Sequence, residues 1–236
     1  MFSNYFQPYD YVTGVEAMLD AFGQQWQPPA PGSGQSGEDS PIILSRFNIH
    51  ITCEDSDSCA HPKSGTKSLA VTDSDAANSS FVPKMRFCPQ FFVKNEPHTK
   101  NNLDSLPYIQ NPRRRQSSWC KPGREFRDFE VAGITVLHEL SHLNEAGRRA
   151  NLESRDDGHG GQTQGSEDIY VQIDYVDDPQ AAARQLHNRW LDVFNKNLPR
   201  DQWPPFIEMQ NAESYAASVA EWWFMSKCNF DSIEGN

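Results

Sequence analysis

The sequence lacks long apolar runs and has little positive charge. Only 37% of its 236 residues are hydrophobic, and no stretch of about 18 apolar residues occurs, so we expect no membrane span. The chain carries 32 acidic and 21 basic residues, for a formal net charge of −11. Nucleic-acid phosphates would be repelled by this charge, so we expect no nucleic-acid partner. The opening residues, MFSNYFQPYDYVTG, also lack the basic start and apolar core of a signal peptide.

Cysteine is sparse, and its spacing argues against a cysteine-rich metal site. None of the five cysteines forms a CxxC pair, so a cysteine–zinc knuckle is not expected. Cys53 and Cys59 are near enough in sequence to close a small loop, whereas the other three are scattered. We predict that Cys53 pairs with Cys59 and that Cys88 pairs with Cys120 or Cys228. Two disulfides and one remaining thiol would suit a secreted protein.

Hydrophobic periodicity predicts an α+β protein. Residues 27–41 are rich in Pro, Gly and Ser and indicate a linker or exposed strap. We therefore divide the chain into residues 1–41, an N-terminal helix with this strap, and residues 42–236, the main domain. Alternating apolar residues predict strands near residues 49, 70 and 88. Helical spacing predicts helices at residues 10–22, 129–147, 179–196 and 211–227.

The apolar faces of the last two helices follow from the same spacing. We predict that residues three and four apart on each helix face the core. In the first of these helices they are Ala183, Leu186, Trp190 and Phe194, and in the second they are Ala212, Tyr215, Val219, Trp222 and Trp223.

The stretch VLHELSHL carries the strongest chemical signal. His138 and His142 stand four residues apart with Glu139 beside the first. On an α-helix this spacing places two side chains about 40° apart around the axis and roughly 6 Å along it, so both imidazoles can bind one ion. Zinc accepts imidazole nitrogens, and the neighbouring carboxylate can take a proton from a water that the metal polarises. The spacing is that of zinc metalloproteases.

A catalytic zinc usually has a third protein ligand. Position 148, where a longer motif would place another histidine, is an arginine. The residues leave four candidates for the third ligand: Asp168, Asp174, His159 and Glu213.

Several motifs together resemble the fungal deuterolysin-like metallopeptidases and their lysine-specific relatives. That family joins HExxH to a loop of the form Gly-Thr-x-Asp-x-x-Tyr-Gly, and "GSED" at residues 165–168 is similar to its first half. "NAESY" at residues 211–215 is similar to the family's Asn-Ala-Asp-x-Tyr helix. "CEDSDSC" followed by "FCPQFF" resembles its upstream cysteine segment. The likeness spans roughly residues 45–225.

The resemblance implies an α+β zincin-like fold with a zinc ion held by His138, His142 and Asp168. Asp168 lies 26 residues after His142, farther than in the family. The family's oxyanion-stabilising tyrosine would fall at position 171, which is a valine, so Tyr170, one residue earlier, is the predicted catalytic tyrosine. Glu139 would be the general base.

We therefore predict a secreted zinc metallo-endopeptidase that acts as a monomer on protein or peptide substrates. An extended peptide would bind along the sheet edge. The alternative is a zinc-binding or host-interaction protein that keeps the zincin scaffold with little or no turnover. The intact Glu139 argues for the enzyme, because metal binding alone does not require that carboxylate.

Overall fold

The computed structural model describes residues 2–7, 14–23, 49–53, 57–60, 68–74, 82–93, 120, 125–156, 161–168 and 179–233. Within these residues the protein is mixed α+β, as predicted. Its helices are α1 (Glu16–Gly23), α2 (Ala132–Ser141), α3 (Asn144–Arg149), α4 (Pro179–Lys196) and α5 (Ala212–Cys228). Its strands are β1 (His50–Thr52), β2 (Ala70–Asp73), β3 (Lys84–Phe87), β4 (Arg155–Asp156) and β5 (Gln162–Thr163). None of the described helices has the length and apolar character that a membrane crossing requires.

The chain divides into two compact units, and the division falls inside α2, between His138 and Glu139. The helical unit comprises Met1–Val12, Lys94–His138 and Ser166–Asn236, and so contains α4 and α5. The sheet unit comprises Thr13–Val93 and Glu139–Gly165, and so contains α1, α3 and all the described strands.

The sheet unit is built on a three-stranded sheet in the order β1-β3-β2. The central strand β3 is parallel to β1 and antiparallel to β2. Met85 and Phe87 on β3 are buried, whereas Lys84 is exposed and Arg86 is half-buried, which is the two-residue alternation of a half-buried strand. The two-residue strands β4 and β5 form a separate antiparallel pair.

The helical unit is centred on α4 and α5, which pack against each other. The rings of Phe6 and Tyr215 lie 5.1 Å apart, and those of Phe129 and Phe224 lie 4.7 Å apart. These aromatic contacts bury the N-terminal residues and the turn before α2 against α5.

The buried face of α5 differs from the prediction. Trp222 and Trp223 are 47% and 40% exposed, whereas Phe224 and Glu221 are buried. Glu221 can face inward because Arg184 forms an ion pair with it at 3.2 Å and the Tyr5 hydroxyl donates a hydrogen bond to it. The prediction that Trp222 and Trp223 face the core was therefore wrong.

The buried network also affects the ionisation of Tyr5. Burial, together with the neighbouring Glu221 carboxylate, raises the pKa of the Tyr5 phenol well above its usual value. The phenol therefore stays protonated and remains a donor to Glu221.

The predicted face of α4 needs one correction as well. Ala183, Leu186 and Trp190 are buried as expected, but Phe194 is 62% exposed and Val193 is buried in its place. Val193 continues the spacing of Leu186 and Trp190 with alternating steps of three and four residues, which keeps it on the core side of the helix.

The disulfide pairing is also different from the prediction. Cys59 pairs with Cys88 in the sheet unit, and Cys120 pairs with Cys228 in the helical unit. Cys53 is an exposed free thiol. Cys53 directly follows β1, while Cys59 ends a separate 3₁₀ turn (Asp57–Cys59) and bonds to the residue that follows β3. Proximity in sequence therefore did not decide the pairing.

Candidate metal centre

The helix α2 carries the HExxH residues but ends earlier than predicted. It spans Ala132–Ser141, and a new helix, α3, begins at Asn144. The last turn tightens, because the N–H of His142 donates to the carbonyl of Glu139 at 3.2 Å and that of Leu143 donates to Leu140 at 3.3 Å. The prediction of one helix to Gly147 was wrong, and His142 lies in the closing turn.

Three predicted ligands come together at this turn. A ring nitrogen of His138, a ring nitrogen of His142 and a carboxylate oxygen of Asp168 all lie within 4.8 Å of one another. In a tetrahedral zinc shell, bonds of about 2.0–2.2 Å place neighbouring ligand atoms about 3.4 Å apart. The ligand atoms therefore span a space of the size that one zinc ion needs, and small side-chain adjustments would suffice to place them around it.

His138 lies between two carboxylates that contact different ring nitrogens. Its Nε2 is 2.9 Å from Asp168 Oδ1, and its Nδ1 is 3.2 Å from Glu213 Oε1. If Nδ1 donates its proton to Glu213, Nε2 presents a lone pair toward the Asp168 oxygen. Two acceptors at 2.9 Å need a cation between or beside them, either a proton or a metal ion. The donor set therefore fits a divalent cation.

The ionisation of His138 reflects the same arrangement. Burial alone would lower the pKa of the imidazole, but the nearby Glu213 and Asp168 carboxylates outweigh it and raise the pKa well above the usual value. A buried ring flanked by two carboxylates creates a local negative potential that attracts a positive charge.

Asp168 and Glu213 are fixed by a short backbone pairing in the helical unit. The N–H of Glu167 donates to the carbonyl of Gln210 at 2.7 Å, and the N–H of Ala212 donates to the carbonyl of Glu167 at 3.1 Å. This pairing joins the residue before Asp168 to the residues that precede Glu213. Both carboxylates are thus held to the start of α5, one on each side of the pairing.

Within the sheet unit, the segment that ends at Gly165 lies directly on the backbone of His142 and Gly147. A Cβ atom on Gly165 would come within 1.9 Å of the carbonyl oxygen of His142, and one on Gly147 within 1.8 Å of that of Gln164. Since real Cβ atoms cannot approach so closely, only glycine allows this contact at either position.

Glu139 lies in the sheet unit and is only 5% exposed. Its carbonyl accepts a hydrogen bond from the Thr72 hydroxyl of β2 at 3.1 Å. The last turn of α2 is thus anchored to strand β2 through the backbone of Glu139.

Some predicted residues lie outside the described part of the chain. They are Tyr170, the predicted catalytic tyrosine, and two of the alternative ligands, Asp174 and His159. The sequence reasoning also missed Asn144, a buried residue whose side chain contacts Ser74, the residue after β2, and the loop before Asp168. Asparagine is unfavourable in a helix interior, so its position in a predicted helix was a signal of the break.

Comparison of the chain with protein-family models, with curated proteins and with solved structures gave no match.

Proposed function

We infer that the protein is a secreted zinc metallo-endopeptidase with a zincin-like fold, of the deuterolysin-like type. The observation that carries this inference is the convergence of His138, His142 and Asp168, with the buried Glu139 next to the first histidine. His138, His142 and Asp168 would hold the metal. Glu213 would accept a hydrogen bond from Nδ1 of His138 and so orient its ring.

Zinc is favoured over the other metal that suits this donor set. Two histidines and one carboxylate also bind Fe(II) in oxygenases. The distinguishing residue is Glu139, because a buried carboxylate beside the first ligand suits proton transfer in hydrolysis and has no required place in a ligand set of that kind. Zinc, when bound, supplies Lewis-acid chemistry and lowers the pKa of a coordinated water.

The chain's own residues would move the protons of peptide hydrolysis. A carboxylate oxygen of Glu139 takes a proton from the attacking water and then delivers it to the nitrogen of the leaving amine. Tyr170 would donate a hydrogen bond to the oxyanion that forms at the former carbonyl.

The sheet offers a binding edge for an extended substrate. In the described residues β2 is an edge strand, paired only with β3. The hydroxyl of its Thr72 donates a hydrogen bond to the backbone carbonyl of Glu139. A peptide added to this edge would make main-chain hydrogen bonds independent of its sequence. Such binding suits an endopeptidase, which must accept the middle of a chain.

The two disulfides support the secreted location. Disulfides persist in oxidising compartments and are rare in the cytosol, and here one lies in each unit.

The test combines metal content with proteolysis. Protein produced with its disulfides intact should contain about one zinc per chain and should cleave casein. Removing the zinc with a chelator should abolish cleavage, and added zinc should restore it. Glu139→Gln should keep the zinc and lose activity by about 10²–10⁴-fold, the usual contribution of a general base.

Glu145→Gln is the matched control for that variant. Glu145 lies on α3, six residues further along the chain, and pairs with Arg148 at 2.6 Å and Arg149 at 3.1 Å. This variant should retain full activity. Zinc binding without cleavage by the wild type would favour the zinc-binding alternative, and wild-type cleavage by Glu139→Gln would exclude Glu139 as the base.

A further inference from the structure

Asn144 is the first residue of α3, lies two residues after His142 and is only 7% exposed. Its Nδ2 donates to the carbonyl of Ser74, the residue after β2, at 2.7 Å. Its Oδ1 accepts from the backbone N–H of Gln164 at 2.6 Å and from that of Gly165 at 3.2 Å. The Thr163 hydroxyl also lies within hydrogen-bond distance of Oδ1, at 3.3 Å.

These hydrogen bonds all leave the helix to which Asn144 belongs. A helix-capping residue would instead bond to its own first turn. The acceptor side holds the segment that ends three residues before Asp168, and the donor side holds the end of the edge strand β2. One carboxamide therefore links two parts of the chain to which the proposed function gives different tasks, ligand presentation and peptide binding.

We propose that Asn144 is a positioning residue that holds both the loop presenting Asp168 to the metal and the end of the substrate-binding strand. This rests on the proposed function. The amide is needed because it combines a donor and an acceptor in one planar group. Aspartate has acceptors alone at neutral pH, and alanine has neither. Without the acceptor, two backbone N–H groups would lose their partner, that of Gly165 in a buried place and that of Gln164 in a half-buried one.

The two sides of the amide can be separated by substitution. Asn144→Asp keeps the oxygens that face Gln164 and Gly165 and loses the donor to Ser74. Asn144→Ala loses both sides. Asn188→Ala, at an exposed position of α4, is the matched control and should behave as the wild type in every measurement.

The first measurement is hydrogen exchange of the metal-free protein, with folding checked by circular dichroism. In Asn144→Ala, exchange should rise at least about tenfold in peptides covering residues 161–168 and 70–74, because lost hydrogen bonds raise local opening. In Asn144→Asp the increase should be confined to residues 70–74. Unchanged exchange at residues 161–168 in Asn144→Ala would overturn the proposal.

The second measurement is zinc affinity in competition with a chelator, followed by peptide kinetics. Asn144→Ala should bind zinc about 10–100-fold more weakly, as when support around a ligand is lost. Asn144→Asp should bind zinc within about threefold of the wild type and raise KM with little change in kcat, because its ligand loop stays held while β2 loosens. Wild-type zinc affinity in Asn144→Ala would refute the positioning role.

Failure of the proposed function would be recognised separately. A wild-type protein that binds no zinc would exclude the metallopeptidase, and the role of Asn144 toward the metal with it, while the exchange data would still decide whether Asn144 holds the loop. If Asn144→Ala does not fold, Asn144→Asp carries the test, and increased exchange at residues 161–168 in that variant would count against the proposal.

Discussion

His138 shows how two carboxylates around one imidazole can have separate tasks. Asp168 faces Nε2 and has a side chain that is 41% exposed, whereas Glu213 faces Nδ1 and is 9% exposed. The carboxylate on the solvent side can share an ion with Nε2. The buried one can accept the Nδ1 proton, which would fix the tautomer and leave Nε2 as the nitrogen for the proposed metal.

This division of tasks predicts different losses of zinc affinity at the two positions. Asp168→Ala should abolish tight zinc binding, because it removes the proposed third ligand. Glu213→Ala should weaken binding by about 10–100-fold, as expected for a supporting partner. Glu213→Gln, which keeps an oxygen acceptor for Nδ1–H, should lose less than Glu213→Ala. Competition with a chelator gives the three affinities.

The opposite order of zinc affinities would change the assignment of the third metal ligand. If Glu213→Ala released the metal while Asp168→Ala retained it, the site would use glutamate as its third ligand. The hydrolytic function would survive that result, but the resemblance to deuterolysin-like enzymes would lose its main support.

At the scale of elements, the site depends on how closely the loop before Asp168 approaches the end of α2. Gly165 allows this approach because its missing Cβ is the atom that would clash with the carbonyl of His142. The contact is between backbones, so a larger residue cannot be accommodated by rotating a side chain, and the loop itself must move.

Gly165→Ala should therefore impair the site more than the fold. We expect zinc affinity to fall about 10–100-fold, in the range of lost ligand support, and stability to fall by about 1–3 kcal/mol, as for overpacking. Gly133→Ala is the matched control, since a Cβ there meets nothing within 4 Å. It should leave zinc affinity unchanged and stabilise the protein by about 0.4–1 kcal/mol. Equal zinc affinities in the two variants would contradict this account.

The existence of most elements could be predicted from the sequence, and so could the bounds of α4, but the end of α2 could not. The periodicity of α4 predicted its bounds, because a long amphipathic pattern sums many weak preferences. The end of α2 at Ser141 has no proline or glycine to mark it. Asn144, the first residue of the next helix, instead makes hydrogen bonds with residues distant in sequence, which no local pattern contains.

The candidate site was predictable where the chemistry is local. His138 and His142 are four residues apart, and the tightened turn that closes α2 still brings their ring nitrogens together, so their convergence follows from the motif. Asp168 was selected among four candidates only through a family resemblance, because its position depends on the pairing of Glu167 with residues 210–212. The contacts of Glu213 with His138 and of Asn144 with the loop before Asp168 are likewise tertiary, so the sequence pattern did not predict them.

At the scale of the whole molecule, the disulfides join segments that are far apart in sequence. Cys120 and Cys228 are separated by 108 residues and Cys59 and Cys88 by 29. The longer loop restricts the unfolded chain more, so its closure should contribute more to stability. On the chain-entropy account the two loops are worth about 4–5 and about 3–4 kcal/mol, respectively.

The last prediction concerns these bonds. The native protein should show one thiol that reacts with Ellman's reagent, because Cys53 is exposed and the other four cysteines are paired. Cys53→Ser should abolish that reaction and leave both disulfide-linked peptides in a non-reducing map. Replacing Cys120 and Cys228 together with alanine should lower the free energy of unfolding by about 4–5 kcal/mol, more than replacing Cys59 and Cys88. A Cys53–Cys59 peptide in the wild-type map would contradict the observed pairing, and an equal loss from the two double variants would contradict the dependence on loop length.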